Sequence, residues 1–194
     1  MPFGLIPVRY KSGAPYNGAC NRYSVASGES NDIFIGDPVI ISGTGDADGV
    51  PGVARAAAGD RITGVVVGFG AARSATAGST TALNRGYRTA STADYLLVAD
   101  DPNLLFAVVE DAVGGALATT DIGNNADLVA GSGSTYTKRS GYMLDSSTKA
   151  TTSAQVRIWG FDQTIGNTIG GTEPVWLVSI VESTEVPASG TTGV

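Results

Sequence analysis

Twenty-seven glycines in 194 residues cut this chain into pieces too short for most helices and well suited to strands. The apolar runs between them are Ile33–Ile41, Ile62–Phe69, Tyr95–Ala99, Leu104–Glu110, Ala126–Ala130, Ala154–Phe161 and Val175–Glu182. They are rich in β-branched residues and bounded by Gly, Asp, Asn and Pro, which is the pattern of strands separated by turns. Two of them alternate. Val156 and Ile158 interleave with Arg157, Trp159 and Phe161, and Trp176, Val178 and Ile180 interleave with Leu177, Ser179 and Val181. Side chains on a strand point to opposite faces in turn, so such strands need cover on both sides. The sequence therefore predicts an all-β fold, a sandwich or barrel (jelly-roll-like) of short strands with little helix. A helical turn is expected only near Ala116–Thr120, ended by Gly123.

Three segments depart from this pattern and set the expected domain organisation. Residues 1–30 combine Pro2, Pro7 and Pro15 with Phe3, Tyr10, Tyr16 and Tyr23. Proline opposes strand pairing, while the rings argue against a solvated tail. An extended N-terminal arm that lays its rings on a partner fits both. Residues 31–182 form the expected β core, with a long Ala/Ser/Thr/Gly insertion at 70–92. Residues 183–194 read as a loose C-terminal tail.

Charge narrows the function. Acids outnumber bases, giving a net charge of −6, and charged residues make up only 15% of the chain. Nucleic-acid binding normally requires a dense basic face, so no nucleic-acid partner is expected. The low charge suits a surface that becomes buried against neighbours. The bases are unevenly placed. Residues 1–28 carry Arg9, Lys11 and Arg22 with no acid, so that segment is +3 and the remainder −9. Residues 70–92 carry Arg73, Arg85 and Arg88, again with no acid. Either these are solvated loops, or they are cationic arms that dock on acidic protein. No signal peptide and no apolar run long enough to span a bilayer is visible, which predicts a chain made in the cytoplasm with no membrane partner. The lone Cys20 precludes an internal disulfide and reads as a small loop residue.

The absence of histidine limits the chemistry. It removes the Ser–His–Asp and Cys–His routes and most zinc sites, and with a single cysteine it excludes a structural zinc. Ser146-Ser147-Thr148-Lys149 matches S-x-x-K, but no S-D-N or K-T-G partner motif follows. Asp46-Ala47-Asp48-Gly49 resembles the start of a calcium loop, yet Val50 and Ala57 occupy positions that would need ligands. It reads as a tight turn. The acid pairs Asp100-Asp101 and Glu110-Asp111 read as turn formers at strand ends rather than a glycosidase pair. No catalytic residue, metal or cofactor is expected, and the chain is predicted not to be an enzyme.

Several stretches resemble one family. They are Pro2-Phe3-Gly4-Leu5-Ile6-Pro7-Val8-Arg9-Tyr10, Gly13-Ala14-Pro15-Tyr16-Asn17-Gly18, Asn21-Arg22-Tyr23, Gly36-Asp37-Pro38-Val39, Ala47-Asp48-Gly49-Val50-Pro51, the run from Ala57 to Gly68, and the run from Tyr95 to Pro102. Together they look like the head decoration, or capsid cement, proteins of tailed bacteriophages, from about residue 2 to about residue 180. The resemblance implies a structural virion protein on the outer surface of the phage head that bridges neighbouring major capsid protein subunits. It also implies a homo-oligomer, a trimer or a dimer. The contacts expected from the arm and the insertion are Phe3, Arg9, Tyr10, Tyr16, Arg22, Tyr23, Arg85, Tyr87 and Arg88. The alternative is a carbohydrate-binding or adhesion module exposed on the virion, which would need an aromatic platform on the core.

Overall fold

The computed structural model describes residues 2–70, 86–181 and 183. In chain order the strands are β1 (Ile6–Tyr10), β2 (Asn21–Val25), β3 (Ile33–Phe34), β4 (Pro38–Gly45), β5 (Pro51–Arg55), β6 (Gly64–Gly70), β7 (Tyr87–Arg88), β8 (Asp94–Ala99), β9 (Leu104–Val109), β10 (Asn125–Ala126), β11 (Leu128–Val129), β12 (Met143–Leu144), β13 (Val156–Phe161) and β14 (Val175–Ile180). Helix among the described residues is limited to short 3₁₀ turns such as Thr119–Asp121 and Ser146–Thr148. The chain is thus a mostly β-strand fold with several sheets.

Two sheets dominate. One is antiparallel, in the order β1-β9-β14-β13-β10. The other pairs in cyclic order, β2-β5-β4-β6-β8, with β8 returning to β2. The link between β2 and β5 is thin, a single parallel pair between Ser24 and Gly52. Tyr23, Val25, Val39, Val53, Val66, Leu96 and Val98 form the core of this ring. A larger core lies under the antiparallel sheet, where Leu104, Phe106, Val108, Val156, Ile158, Trp176, Val178 and Ile180 meet. That core also takes Val65 and Ala99, which are paired across β6 and β8. Their neighbours Val66 and Val98 are likewise paired but belong to the ring core. β6 and β8 therefore form a common wall with an apolar core on each side. This is why Ile62–Phe69 reads as an almost unbroken apolar run.

Residues 2–30 are not a separate arm. β1 pairs with β9 as the edge of the antiparallel sheet, and β2 pairs with β8 in the ring. Leu5 is buried in the larger core, with Tyr10 and Tyr16 packed against it. Proline is admitted because Pro7 lies on an edge strand beside a bulge at Val8, while Pro38 and Pro51 open their strands. The entry of the chain depends on glycine. Gly4 and Gly36 both have left-handed φ angles, +74° and +93°, and the Leu5 N–H donates to the Gly36 carbonyl at 2.9 Å. A methyl group on Gly36 would lie 2.6 Å from the Phe3 carbonyl oxygen. Of the expected insertion at 70–92, residues 71–85 lie outside the described residues, and β7 falls in the remainder. Of the expected tail, Ser183 alone is described. It is buried and bridges to Ile62.

Polar groups tie the ring to the rest. Asp37, fully buried, accepts the Phe34 N–H at 2.9 Å and faces Arg55 Nε at 3.3 Å. Burial raises its pKa despite these partners. Arg55 Nη2 donates to the Gly131 carbonyl at 2.7 Å, and its guanidinium lies 4.8 Å from the centre of the Tyr142 ring. The Tyr142 hydroxyl donates to the Ala56 carbonyl. Burial pushes the Tyr142 pKa up to about 12.

Candidate functional site

The residues expected to touch a partner scatter through the fold, and several are committed internally. Tyr23 is buried, and its hydroxyl donates to Asp100 Oδ2 at 2.7 Å. Arg88 is 0% exposed. Its guanidinium donates to four backbone carbonyls, those of Thr92, Asn31, Ala26 and Glu29, at 2.7–3.1 Å. It fastens the 26–32 segment to β7 and is not a surface contact. Tyr87 stacks on Phe34 with ring centres 5.0 Å apart, and Lys138 Nζ sits 4.4 Å above it. Tyr10 and Tyr16 are half-buried against the larger core, and the Tyr16 hydroxyl donates to the Ala19 carbonyl at 2.9 Å. Arg22 is half-buried with its guanidinium 4.7 Å from the Tyr95 ring centre. Phe3 is half-buried and Arg9 is exposed. Arg85 lies outside the described residues.

The motifs that suggested chemistry make contacts within the fold. Ser146 is buried, its hydroxyl donating to Asp111 Oδ1 at 3.0 Å and the Val113 carbonyl at 2.8 Å. Lys149 pairs with Asp121 at 3.1 Å instead of facing that serine. Asp46 Oδ1 accepts the N–H groups of Asp48 and Val50 and closes the turn between β4 and β5, while Oδ2 accepts the Tyr95 hydroxyl. Asp100 accepts from the Asn21 amide as well as Tyr23. Glu110 is buried and accepts the Leu117 N–H and the Trp176 indole N–H, each at 2.7 Å. Among the described residues, no group of three or more Cys, Asp and Glu side chains could hold a metal. No helix among them is long and apolar enough to cross a membrane.

Two surface features stand out. The first is a pair of loops that hold apolar side chains in water. Ile165 is 102% exposed and Tyr136 is 93% exposed. Neither loop is slack. The Asn167 amide donates to the carbonyls of Asp162 and Val175 and accepts the Val175 N–H at 3.0 Å, pinning the turn under Ile165. Ser134 and Arg139 bridge beneath Tyr136, and the Lys138 N–H donates to the Ser134 carbonyl at 2.8 Å. Sequence reading missed both, because single apolar residues in polar loops make no periodic signal.

The second is a groove of about 430 Å³ on the outer face of the antiparallel sheet, lined by Lys11, Pro102, Arg157, Trp159, Ser179 and Val181 among others. The β13 alternation puts Val156 and Ile158 in the core and leaves Arg157 and Trp159 exposed. Arg157 pairs across to Ser179, and Trp159 occupies a bulge. Lys11 Nζ donates to the Pro102 carbonyl at 2.9 Å. Burial, then the charge of Arg157, lowers the Lys11 pKa, while nearby Asp101 raises it. Arg9 shares this face, since it pairs with Leu105 on the side of β9 away from the core. Cys20 is exposed as a free thiol.

No family model matches the chain, and neither the search of curated proteins nor that of solved structures finds a match.

Proposed function

We propose that this chain is a non-catalytic structural protein that acts by packing against other proteins. In this reading it decorates the outer surface of a tailed-phage head and cements neighbouring major capsid subunits, as an oligomer of itself. The observation that carries the reading is the pair of pinned loops presenting Ile165 and Tyr136 to solvent. A large apolar side chain in water gains nothing for the isolated chain. When the loop beneath it is already ordered, burying it on a partner costs little further entropy. Such a contact removes roughly 150–250 Å² per aromatic ring from water. Repetition over a symmetric lattice then multiplies modest contacts through effective concentration. We also take the cyclic sheet to be a small barrel backed by the antiparallel sheet, a rigid body suited to bridging. The sequence resemblance to head decoration proteins points the same way.

The test is co-sedimentation with purified phage heads that lack decoration. The intact chain should pellet with the heads and raise their melting temperature. Ile165→Ser and Tyr136→Ser should weaken binding by roughly tenfold each, about 1.4 kcal/mol. No binding by the intact chain, or full binding by both variants, would remove this reading. A second reading, carbohydrate binding, is favoured by Trp159, 43% exposed beside the polar lining of the groove. A glycan array separates the two, since it should stay blank for a capsid-binding protein.

A further inference from the structure

The groove beside β13 is a concentration of positive charge on an acidic chain. Lys11 and Arg157 both line it, Arg9 lies on the same sheet face, and no carboxylate is among its described lining residues. Among the described residues, the acid whose charge acts on Lys11 is Asp101, whose Oδ1 accepts the Asn103 N–H. The two cations repel one another, and Lys11 is partly withdrawn from water. An incoming anion relieves both effects. The remaining wall is apolar or neutral: Trp159, Val181, Pro102 and Ser179.

We propose that this groove receives an acidic segment of a partner polypeptide, with a carboxylate held between Lys11 and Arg157 and an adjacent apolar side chain laid on Trp159. The inference rests on the protein-docking reading above and deepens it by naming the chemistry of one contact. Charge complementarity selects the occupant. A long polyanion such as a nucleic acid would run out of the groove onto a chain whose net charge is −6. A short acidic peptide meets only the cations. The indole and Val181 favour a ligand that alternates carboxylates with apolar groups, as a surface strand or loop of an acidic protein does. Trp159 is available because the β13 alternation places it on the same exposed face as Arg157, and the bulge between Ile158 and Gly160 leaves it without a partner in the ladder.

The test uses the full chain and a fluorescein-labelled peptide alternating Glu and Leu, read by polarisation. The intact chain should bind it in a salt-dependent manner, and the same peptide with Gln for Glu should not bind. Lys11→Met and Arg157→Gln should each weaken binding by about tenfold, with Trp159→Ala weakening it several-fold. Arg157→Glu should lose the Glu peptide and gain its Lys counterpart, a reversal that misfolding cannot produce. Unchanged binding in the Lys11 and Arg157 variants would overturn the proposal, as would tighter binding of an oligothymidylate of equal charge. Co-sedimentation separates the two levels. If heads bind the intact chain and the groove variants alike, the groove proposal fails and the docking reading stands. If heads bind neither while the peptide results hold, the head assignment fails and the groove stands.

Discussion

At the residue scale, the side chains that looked most like tools for binding are among those that hold the fold. Arg88 is the plainest case. An arginine in an acid-free stretch reads as a cationic contact, yet five donors in a fixed fork also suit a cluster of backbone carbonyls. Only the folding of the 26–32 segment around it brings those carbonyls together. Nothing local in the sequence announces that. Tyr142 is similar, donating across to the ring at Ala56. Because its folded pKa is raised to about 12, the neutral phenol is what the fold favours. Its contribution to stability is complete below the ordinary tyrosine value near 10 and is lost as pH rises through about 12. Chemical denaturation between pH 9 and 12.5 should therefore show the intact chain losing up to about 3 kcal/mol more than Tyr142→Phe. Tyr142→Phe should itself cost about 1–2 kcal/mol at pH 7. Parallel curves for the two proteins would show that the phenol is not the titrating group.

At the scale of elements, the apolar runs were legible, while the strands carrying Pro7 and Pro51 and the short β2 were not. β9, β13 and β14 coincide closely with the runs Leu104–Glu110, Ala154–Phe161 and Val175–Glu182, and the alternation in β13 and β14 separated the residues of the larger core from those of the opposite face without saying which face the core would take. The 3₁₀ turn at Thr119–Asp121 lies close to the expected helical turn. β1, β2 and β5 escaped. Pro7 and Pro51 weigh against strands by composition, but an edge position and a strand start tolerate a missing N–H. β2, Asn21–Val25, is short and polar at its start, and its pairing with β8 is non-local, so periodicity could not reveal it. The groove was half legible. Arg157 and Trp159 were placed on one strand face and Lys11 in a basic segment, but only the registers of β1 against β9, β9 against β14 and β14 against β13 unite them. Deleting residues 2–23 removes β1 and most of β2, along with Leu5, Tyr10, Tyr16 and Tyr23. Each buried apolar side chain is worth about 1.5–3 kcal/mol, so the loss rivals the 5–15 kcal/mol of a typical domain, a span that marks how marginal such domains are. The truncated chain should lose its far-UV strand signal and aggregate. A soluble, cooperatively melting product would show that the segment is separable after all.

For the molecule as a whole, the common wall of β6 and β8 decides how it comes apart. Val65 and Ala99 face one core while Val66 and Val98 face the other. Neither sheet can open without exposing the back of the other. Calorimetry should show one transition with equal van't Hoff and calorimetric enthalpies, of roughly 115–155 kcal/mol for a chain this size near 60 °C. Two resolved transitions would mean the cores melt independently. The same unity makes the exposed thiol of Cys20 useful. Maleimide chemistry can address a single thiol per chain, out in the solvent. A dye or gold cluster attached there would give each copy one optical or electron-dense tag, so that copies on any particle could be counted and the spacings between them measured.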